Sequence, residues 1–402
     1  MNTNNFNQKL KILHVLPSLN LESGGVAQGV INITSFYEAL GAKASALTMD
    51  NIEDSLSVSR CLTVHRLGKG IGGTFSYHPN MIKWLKQNVH QFDAVIIDGL
   101  WQYHDYAVYK ALKNSKVPYY IFTHGMLDPW FKHKYPFKHL KKYLFWFLAQ
   151  HAVLKNAKAV LFTCEDEKIL ARESFWPYKI REHVVGYGTT ITEVAQKATS
   201  NCFYERYPEL RGKRLFLFLS RINEKKGCDL LIEAFAKAAK LNNKLHLIMA
   251  GPDQTGWQAD LEKLAIDYGI ADQITWTGMI KNEIKWGAMK AAEVFILPSH
   301  QENFGIAVAE ALAMGTPVLI SDKVNIWREI KEMNAGLVES DNIEGIQKLL
   351  QGWLALSPEQ KKIIQQNAIP CFEQKFDIAQ AAKNLIKLIQ ADLKTDEISK
   401  SL

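Results

Sequence analysis

Cysteine is scarce and unpatterned in this chain of 402 residues. Cys61, Cys164, Cys202, Cys228 and Cys371 are odd in number, scattered, and never spaced C-x-x-C. That excludes a disulfide framework and a cysteine zinc site, and it points to a reducing compartment. No apolar run reaches the ~18 residues that a membrane-spanning helix needs. The opening residues, MNTNNFNQKL, lack the apolar core of a secretory leader. Twenty-four glycines and 12 prolines are an ordinary complement, which excludes collagen-like and low-complexity chains. The glycine loop Ser23-Gly24-Gly25-Val26 is not G-x-G-x-x-G and no Walker lysine follows it, so neither NAD nor P-loop NTPase chemistry is favoured there. With no D-x-D and no His/Cys ligand cluster, no catalytic metal is indicated. A soluble cytoplasmic protein is expected.

The chain is 47% hydrophobic and 22% charged, as globular proteins are. At about 150 residues per domain, two or three domains are expected. The net charge of +7 is uneven. Residues 1–200 carry 23 Lys/Arg against 15 Asp/Glu, whereas residues 201–402 carry 25 against 26. A basic half beside a neutral one suggests different partners for each. Nucleic acid and an anionic membrane surface are the classes such a charge admits.

Apolar, β-branched runs at 11–16, 44–48, 63–67, 94–97, 119–123, 159–163 and 184–187 alternate with segments of helical spacing. The second half repeats the plan, with runs at 215–220, 245–250, 274–277, 294–297, 318–321 and 336–338. Continuous apolar strands separated by helices read as parallel sheets covered on both faces. Helices are expected at 26–40, 229–240, 259–268 and 306–313. Pro370 is expected to end the helices of the second half. An amphipathic segment at 372–393 follows it, then a frayed polar tail at 394–402. In such α/β sheets, ligands bind beyond the carboxyl ends of the strands.

Five strand ends carry polar or glycine-rich sequence. After the run 294–297 come Glu302, Asn303, Phe304 and Gly305, then a helix containing Glu310. Gly305 lies near the helix start, where free N–H groups and the helix dipole attract anions. Glu310 lies ~7–8 Å further along the axis at ~1.5 Å per residue. Two carboxylates flanking an anion site suit a ligand with hydroxyls at both ends and a diphosphate between, such as a sugar nucleotide. The alternative is a solvated or capping Glu302 and a Glu310 paired with a surface lysine. After the run 215–220, Arg221 offers a bidentate fork and Lys226 a compact charge, with Gly227 for a tight turn. Gly24 and Gly25 open a first-half helix and expose backbone N–H groups. His124 and Gly125 end the run 119–123, and a histidine there can bond a hydroxyl or move a proton. Gly278 and Met279 end another strand, where backbone groups could meet a nucleobase.

Taken together, these residues resemble glycosyltransferase family 4, the large retaining group with the GT-B fold. The resemblance covers almost the whole chain and rests above all on PSHQENFGIAVAEALAMGTPVLISD at 298–322, which is similar to the family's E-x7-E signature. HGMLDPW at 124–130 resembles a branch found in bacterial surface-polysaccharide assembly. The resemblance implies two Rossmann-like doubly wound α/β domains facing a central cleft. The acceptor-side domain would span 1–195 and the nucleotide-sugar domain 196–370. Residues 371–402 would form a helix crossing back to the first domain, with the polar tail.

The resemblance also implies roles. Glu302 would hold donor-sugar hydroxyls, and Asn303, Phe304 and Gly305 would present N–H groups to sugar and phosphate. Glu310 would bind the ribose, and Arg221 and Lys226 the diphosphate. Gly25 would approach that diphosphate from the first domain, and His124 would contact the sugar. Gly278 and Met279 would face the base. The implied reaction is retaining transfer of a hexose from a UDP- or GDP-linked sugar to a glycan or lipid-linked acceptor. Surface polysaccharide or glycolipid biosynthesis is the expected setting, with no cofactor and no metal. Where the family often has Pro-Asn-Gly, this chain has Gly186-Tyr187-Gly188, and Tyr187 is assigned no role.

Residues 130–158 hold seven lysines and no acidic residue, interleaved with aromatics. Lysine plus aromatic at helical spacing suits an anionic membrane surface and a peripheral place on the inner face of the plasma membrane. The competing arrangement has Leu144, Phe147, Leu148 and Val153 facing the core with the lysines solvated. Nucleic acid is not expected, because the sugar-nucleotide residues account for the cleft. A non-catalytic nucleotide-sugar-binding scaffold and a sugar-nucleotide epimerase are the competing functions.

Overall fold

The computed structural model describes residues 9–21, 25–56, 58–134, 136–240 and 242–401, excluding the side chains of 131, 133, 397 and 399–401. It divides into two compact units, Met1–Tyr187 with Ile378–Leu402 and Gly188–Asp377. The divisions fall at 187/188 and 377/378, whereas the expectation put them at 195/196 and 370/371. A bridge between Thr189 and Asp377 joins the two ends of the second unit, so 188–195 belongs with it.

The first unit contains strands β1 (Leu10–Val15), β2 (Ala42–Thr48), β3 (Leu62–Arg66), β4 (Ala94–Asp98), β5 (Tyr119–Phe122), β6 (Ala159–Phe162) and β7 (Glu182–Val184). All pairings are parallel, in the order β3-β2-β1-β4-β5-β6-β7. The second unit contains β8 (Arg214–Leu219), β9 (Leu245–Ala250), β10 (Ile274–Gly278), β11 (Val294–Leu297), β12 (Val318–Ser321) and β13 (Gly336–Glu339). Its parallel sheet runs β10-β9-β8-β11-β12-β13. Every residue of β4, β9 and β11 is buried, so both sheet faces are covered, as continuous apolar runs require. In each sheet the strand order reverses beside the first strand, between β1 and β4 and between β8 and β11. Those are the points where doubly wound sheets take ligands.

Several expectations are corrected. The last strand of the first sheet is Glu182–Val184 rather than 184–187, because Gly186 turns the chain at φ +85°. Pro370 lies inside the helix Pro358–Cys371, and a π-helical turn, Phe372–Phe376, follows it. Leu402 lies outside the described residues, and the next helix runs over Ile378–Ser401, so 394–401 is helical where a frayed tail was expected. Ion pairs explain why: Arg181 reaches Asp392 at 2.8 Å and Lys158 reaches Asp396 at 2.6 Å. Tyr120 adds a hydroxyl hydrogen bond to Asp392 at 3.1 Å.

The segment 130–158 also departs from core packing. The helix Pro136–Phe145 leads into a π-helical turn, Trp146–Gln150, and then into His151–Lys155. The wider turn shifts the helical register. Trp146, Ala149 and Gln150 go inward, and Trp146 stacks on Phe175 with ring centres 4.8 Å apart. Val153 is buried as expected, but Leu144, Phe147 and Leu148 are not. With Phe137 and Leu140 they form an apolar row, each 55–84% exposed. Among the described residues, no helix is long and apolar enough to cross a membrane.

Candidate active site

In the first unit the site residues gather where β1, β4 and β5 end. Asp98 closes β4 and is buried. Its Oδ2 lies 2.7 Å from His14 Nδ1, and its Oδ1 lies 3.2 Å from His124 Nε2. His14 in turn reaches the Tyr37 hydroxyl at 2.9 Å. Burial alone would raise the Asp98 carboxyl, but the two histidines outweigh it and pull it down to about 2. His124 stands at φ +46°, unusual for a residue with a side chain. Buried Glu167 holds the turn on either side of it. Its Oε1 accepts from Thr123 Oγ1 at 2.5 Å and Gly125 N at 2.6 Å, and its Oε2 from Thr163 N at 2.7 Å.

Gly25 begins the helix Gly25–Thr34, and its carbonyl accepts from the Tyr187 hydroxyl at 3.4 Å. Tyr187 also meets the His124 ring edge-on at 5.8 Å. A Cβ on Gly29 would collide with the Tyr187 hydroxyl, so this helix sits close over the phenol. Tyr187 therefore supports both Gly25 and His124. Gly24 lies outside the described residues.

In the second unit the site gathers beyond β8, β10 and β11. Gly227 sits at φ +64°, where a Cβ would lie 2.3 Å from the Pro298 carbonyl oxygen. Only glycine lets the loop after β8 close onto the end of β11. That closure places buried Lys226 in an ion pair with Glu302. Glu302 is fixed by its backbone: its N–H donates to Lys323 O at 2.9 Å and its carbonyl accepts from Asn325 N at 3.0 Å. Asn303 follows in this loop. Phe304 is buried edge-on against Phe376, and Gly305 caps the helix Ile306–Ala313 in the left-handed region at φ +77°. A carboxylate, a lysine and the start of a helix thus lie on one loop pair.

Glu310, on that helix, is buried, which raises its carboxyl, while Lys285 opposes the shift from 2.6 Å. Glu310 is thus paired with a lysine, and that lysine lines a cavity of about 570 Å³. Arg221, Gly251, Pro252, Met279 and Ile280 line the same cavity. Gly278 stands at its edge, its carbonyl accepting from Gly251 N at 2.8 Å. A pocket lined by Arg221 and by the lysine that pairs with Glu310 can hold a planar base and a polyhydroxyl group. Among the described residues, no cluster of three or more His, Cys, Asp or Glu side chains could hold a metal.

The structure thus joins Lys226 to Glu302, and Arg221 to Met279 along one cavity wall. Residues the sequence reading did not single out are His14, Asp98, Glu167 and Lys285. Asp98 was visible as the last residue of a strand. Nothing in the local sequence marks the other three.

Comparisons with known proteins bear on the family and the fold. The family model "Glycosyl transferase 4-like domain" matches residues 24–188, and "Glycosyl transferases group 1" matches residues 205–369. The GDP-mannose:cellobiosyl-diphosphopolyprenol alpha-mannosyltransferase of Xanthomonas oryzae pv. oryzae is 24% identical, over 92% of this chain and 93% of that protein. The alpha-D-kanosaminyltransferase of Streptomyces kanamyceticus is 26% identical, over 59% of this chain and 61% of its own. Among solved structures, Anabaena HepE in complex with UDP and glucose superposes with a TM-score of 0.71 at 16% identity. It covers 95% of this chain and 100% of its own. Two parallel-sheet units, two adjoining family matches and the paired glutamates lead to one assignment: the chain belongs to glycosyltransferase family 4, with the GT-B fold.

Proposed function

We propose that this glycosyltransferase moves a hexose, with retention and without a metal, from a UDP- or GDP-linked sugar to a glycan or lipid-linked acceptor. The observation that carries the reading is the second unit's arrangement. Glu302 and Glu310 lie at the two ends of one loop and helix, each paired with a lysine, and Arg221 lines the adjoining cavity. Glu302 would take sugar hydroxyls and Glu310 the ribose. Arg221, Lys226 and the helix start at Gly305 would meet the charge that develops on the leaving diphosphate. His124, held by Asp98, would contact the sugar from the first unit, and Gly25 the diphosphate. The Xanthomonas relative's name gives a GDP-mannose donor and a diphosphopolyprenol acceptor, and the HepE complex holds UDP. Both nucleotides therefore belong in the test.

The experiment is a donor panel of UDP-glucose, UDP-galactose, UDP-N-acetylglucosamine and GDP-mannose. Binding is followed by calorimetry and slow hydrolysis by nucleotide release, with and without EDTA. One donor is expected to bind and be cleaved, EDTA to change nothing, and Arg221→Ala to lose it. A donor that binds without any cleavage favours the scaffold reading, and a product with an isomerised sugar favours the epimerase.

The exposed row Phe137, Leu140, Leu144, Phe147 and Leu148 beside Lys138 and Lys141 supports a second part of the reading. This segment would lie on an anionic membrane at the cytoplasmic face. Co-sedimentation with vesicles is expected with phosphatidylglycerol present, and its absence there would remove this part.

A further inference from the structure

Lys285 belongs to no motif read from the sequence, yet it sits at the centre of the nucleotide-side geometry. It projects from the helix Asn282–Ala291, with Nζ 2.6 Å from Glu310 Oε1 and 4.4 Å from the centre of the Trp286 ring. It also lines the cavity that Arg221 and Met279 line. Glu310 itself is buried on the helix Ile306–Ala313. A buried carboxylate without a cation either takes a proton or turns away. Here one amine bonds it, and an indole ring restrains that amine from the side.

We propose that Lys285 is the positioning residue for the nucleoside half of the donor: it holds Glu310 ionised and in one orientation, so that the carboxylate accepts from the vicinal hydroxyls of a ribose. The inference rests on the transferase reading, in which Glu310 binds the ribose, and adds the group that makes Glu310 competent. Lys285 acts through Glu310 rather than on the base or the phosphates. Its removal costs the hydroxyl contacts and spares the rest of the ligand.

The test compares ribonucleotides with their 2′,3′-dideoxy counterparts. Calorimetry on the full chain measures UDP, GDP and the two dideoxy diphosphates against wild type, Lys285→Met, Lys285→Arg, Glu310→Gln and the double variant K285M/E310Q. Wild type is expected to favour one ribonucleotide over its dideoxy form by about tenfold or more, the yield of charge-assisted hydrogen bonds to hydroxyls. Lys285→Met and Glu310→Gln should each abolish that preference and leave dideoxy binding within about twofold. Lys285→Arg should restore part of it. In the Glu310→Gln background, Lys285→Met should cost nothing more.

The double variant carries the comparison with Glu310→Gln if Lys285→Met alone does not fold, because it leaves no unpaired buried charge. A ribose preference that survives Lys285→Met overturns the proposal. So does an equal loss for ribo and dideoxy ligands, or a further loss when Lys285→Met is added to Glu310→Gln. Wild type that binds neither diphosphate overturns the transferase reading itself, which sets that failure apart from the others.

Discussion

The two sheets end in carboxylates that are held in different ways. In the first unit Asp98 lies between two imidazoles, buried with its partners, and its nearest elements are strands of its own sheet. In the second unit Glu302 and Glu310 are held by lysines on loops and helices beside a cavity. A carboxylate enclosed by short aromatic bases is fixed in place, and it can only position a neighbour, here His124. Glu302 can exchange Lys226 for a ligand, because the long stem lets the ammonium swing away, whereas the Trp286 ring keeps Lys285 on Glu310. One fold plan thus yields a rigid end in one unit and an adjustable one in the other.

The strongest test of that contrast is Glu302→Ala. It should lower sugar transfer by about ten- to a hundredfold, the scale of losing charge-assisted hydrogen bonds to sugar hydroxyls. Nucleotide binding by calorimetry should persist. Loss of nucleotide binding along with turnover would mean that the second unit's end is as rigid as the first.

Next in size is Asp98→Asn. The Asp98 carboxyl sits at about 2 in the fold against 3.8 for a free one, so the folded chain binds fewer protons there. The resulting stability, about 2 kcal/mol, is fully present above pH ~4 and fades as pH falls toward 2. Denaturant melts at pH 7 and pH 3 should show Asp98→Asn costing about that much at the higher pH and less at the lower. A cost independent of pH would mean that the cluster works by shape alone.

Asp105 supplies the opposite sign within the same unit. It is buried in the helix Tyr103–Leu112, where it accepts the Trp101 N–H at 2.8 Å, and burial pushes its carboxyl up to about 7. Here the folded chain binds the proton more tightly than the unfolded one. Stability is therefore intact below pH ~4 and erodes as pH rises toward 7. Asp105→Asn should raise the free energy of unfolding at pH 8 by about 1–2 kcal/mol, less than the full linkage because a buried amide NH2 group brings its own desolvation cost, and leave pH 4 unchanged. The last expected effect is on the surface. Lys138→Glu with Lys141→Glu should weaken partition onto phosphatidylglycerol vesicles by about thirtyfold or more, at about 1 kcal/mol per basic residue lost, without altering soluble donor hydrolysis.

Much of this was legible in the sequence. Runs such as 94–97 and 294–297 could form only fully covered strands, because both of their faces are apolar. The repeated alternation with helices therefore required two doubly wound parallel sheets. Glu302, Gly305, Glu310, Arg221 and Lys226 were readable because loops at strand ends keep their polar residues close together in the chain. Composition left 130–158 divided between a surface for a membrane and core packing, because it does not announce a π-helical turn such as Trp146–Gln150. Pro370 misled for a related reason: a proline usually stops a helix, but the wider turn after it carries the chain on to Asp377.

Sequence alone therefore determined the layered architecture, the alternation of strands and helices along the chain and the clustering of polar residues at strand ends, since all of these depend on local pattern and short spacing. Tertiary structure alone decided the partners. His14 and Asp98 are separated by 84 positions, Lys226 and Glu302 by 76, and Lys285 and Glu310 by 25. Parallel pairing and helix packing bring each pair within bonding reach, and no local pattern encodes which distant charge will arrive.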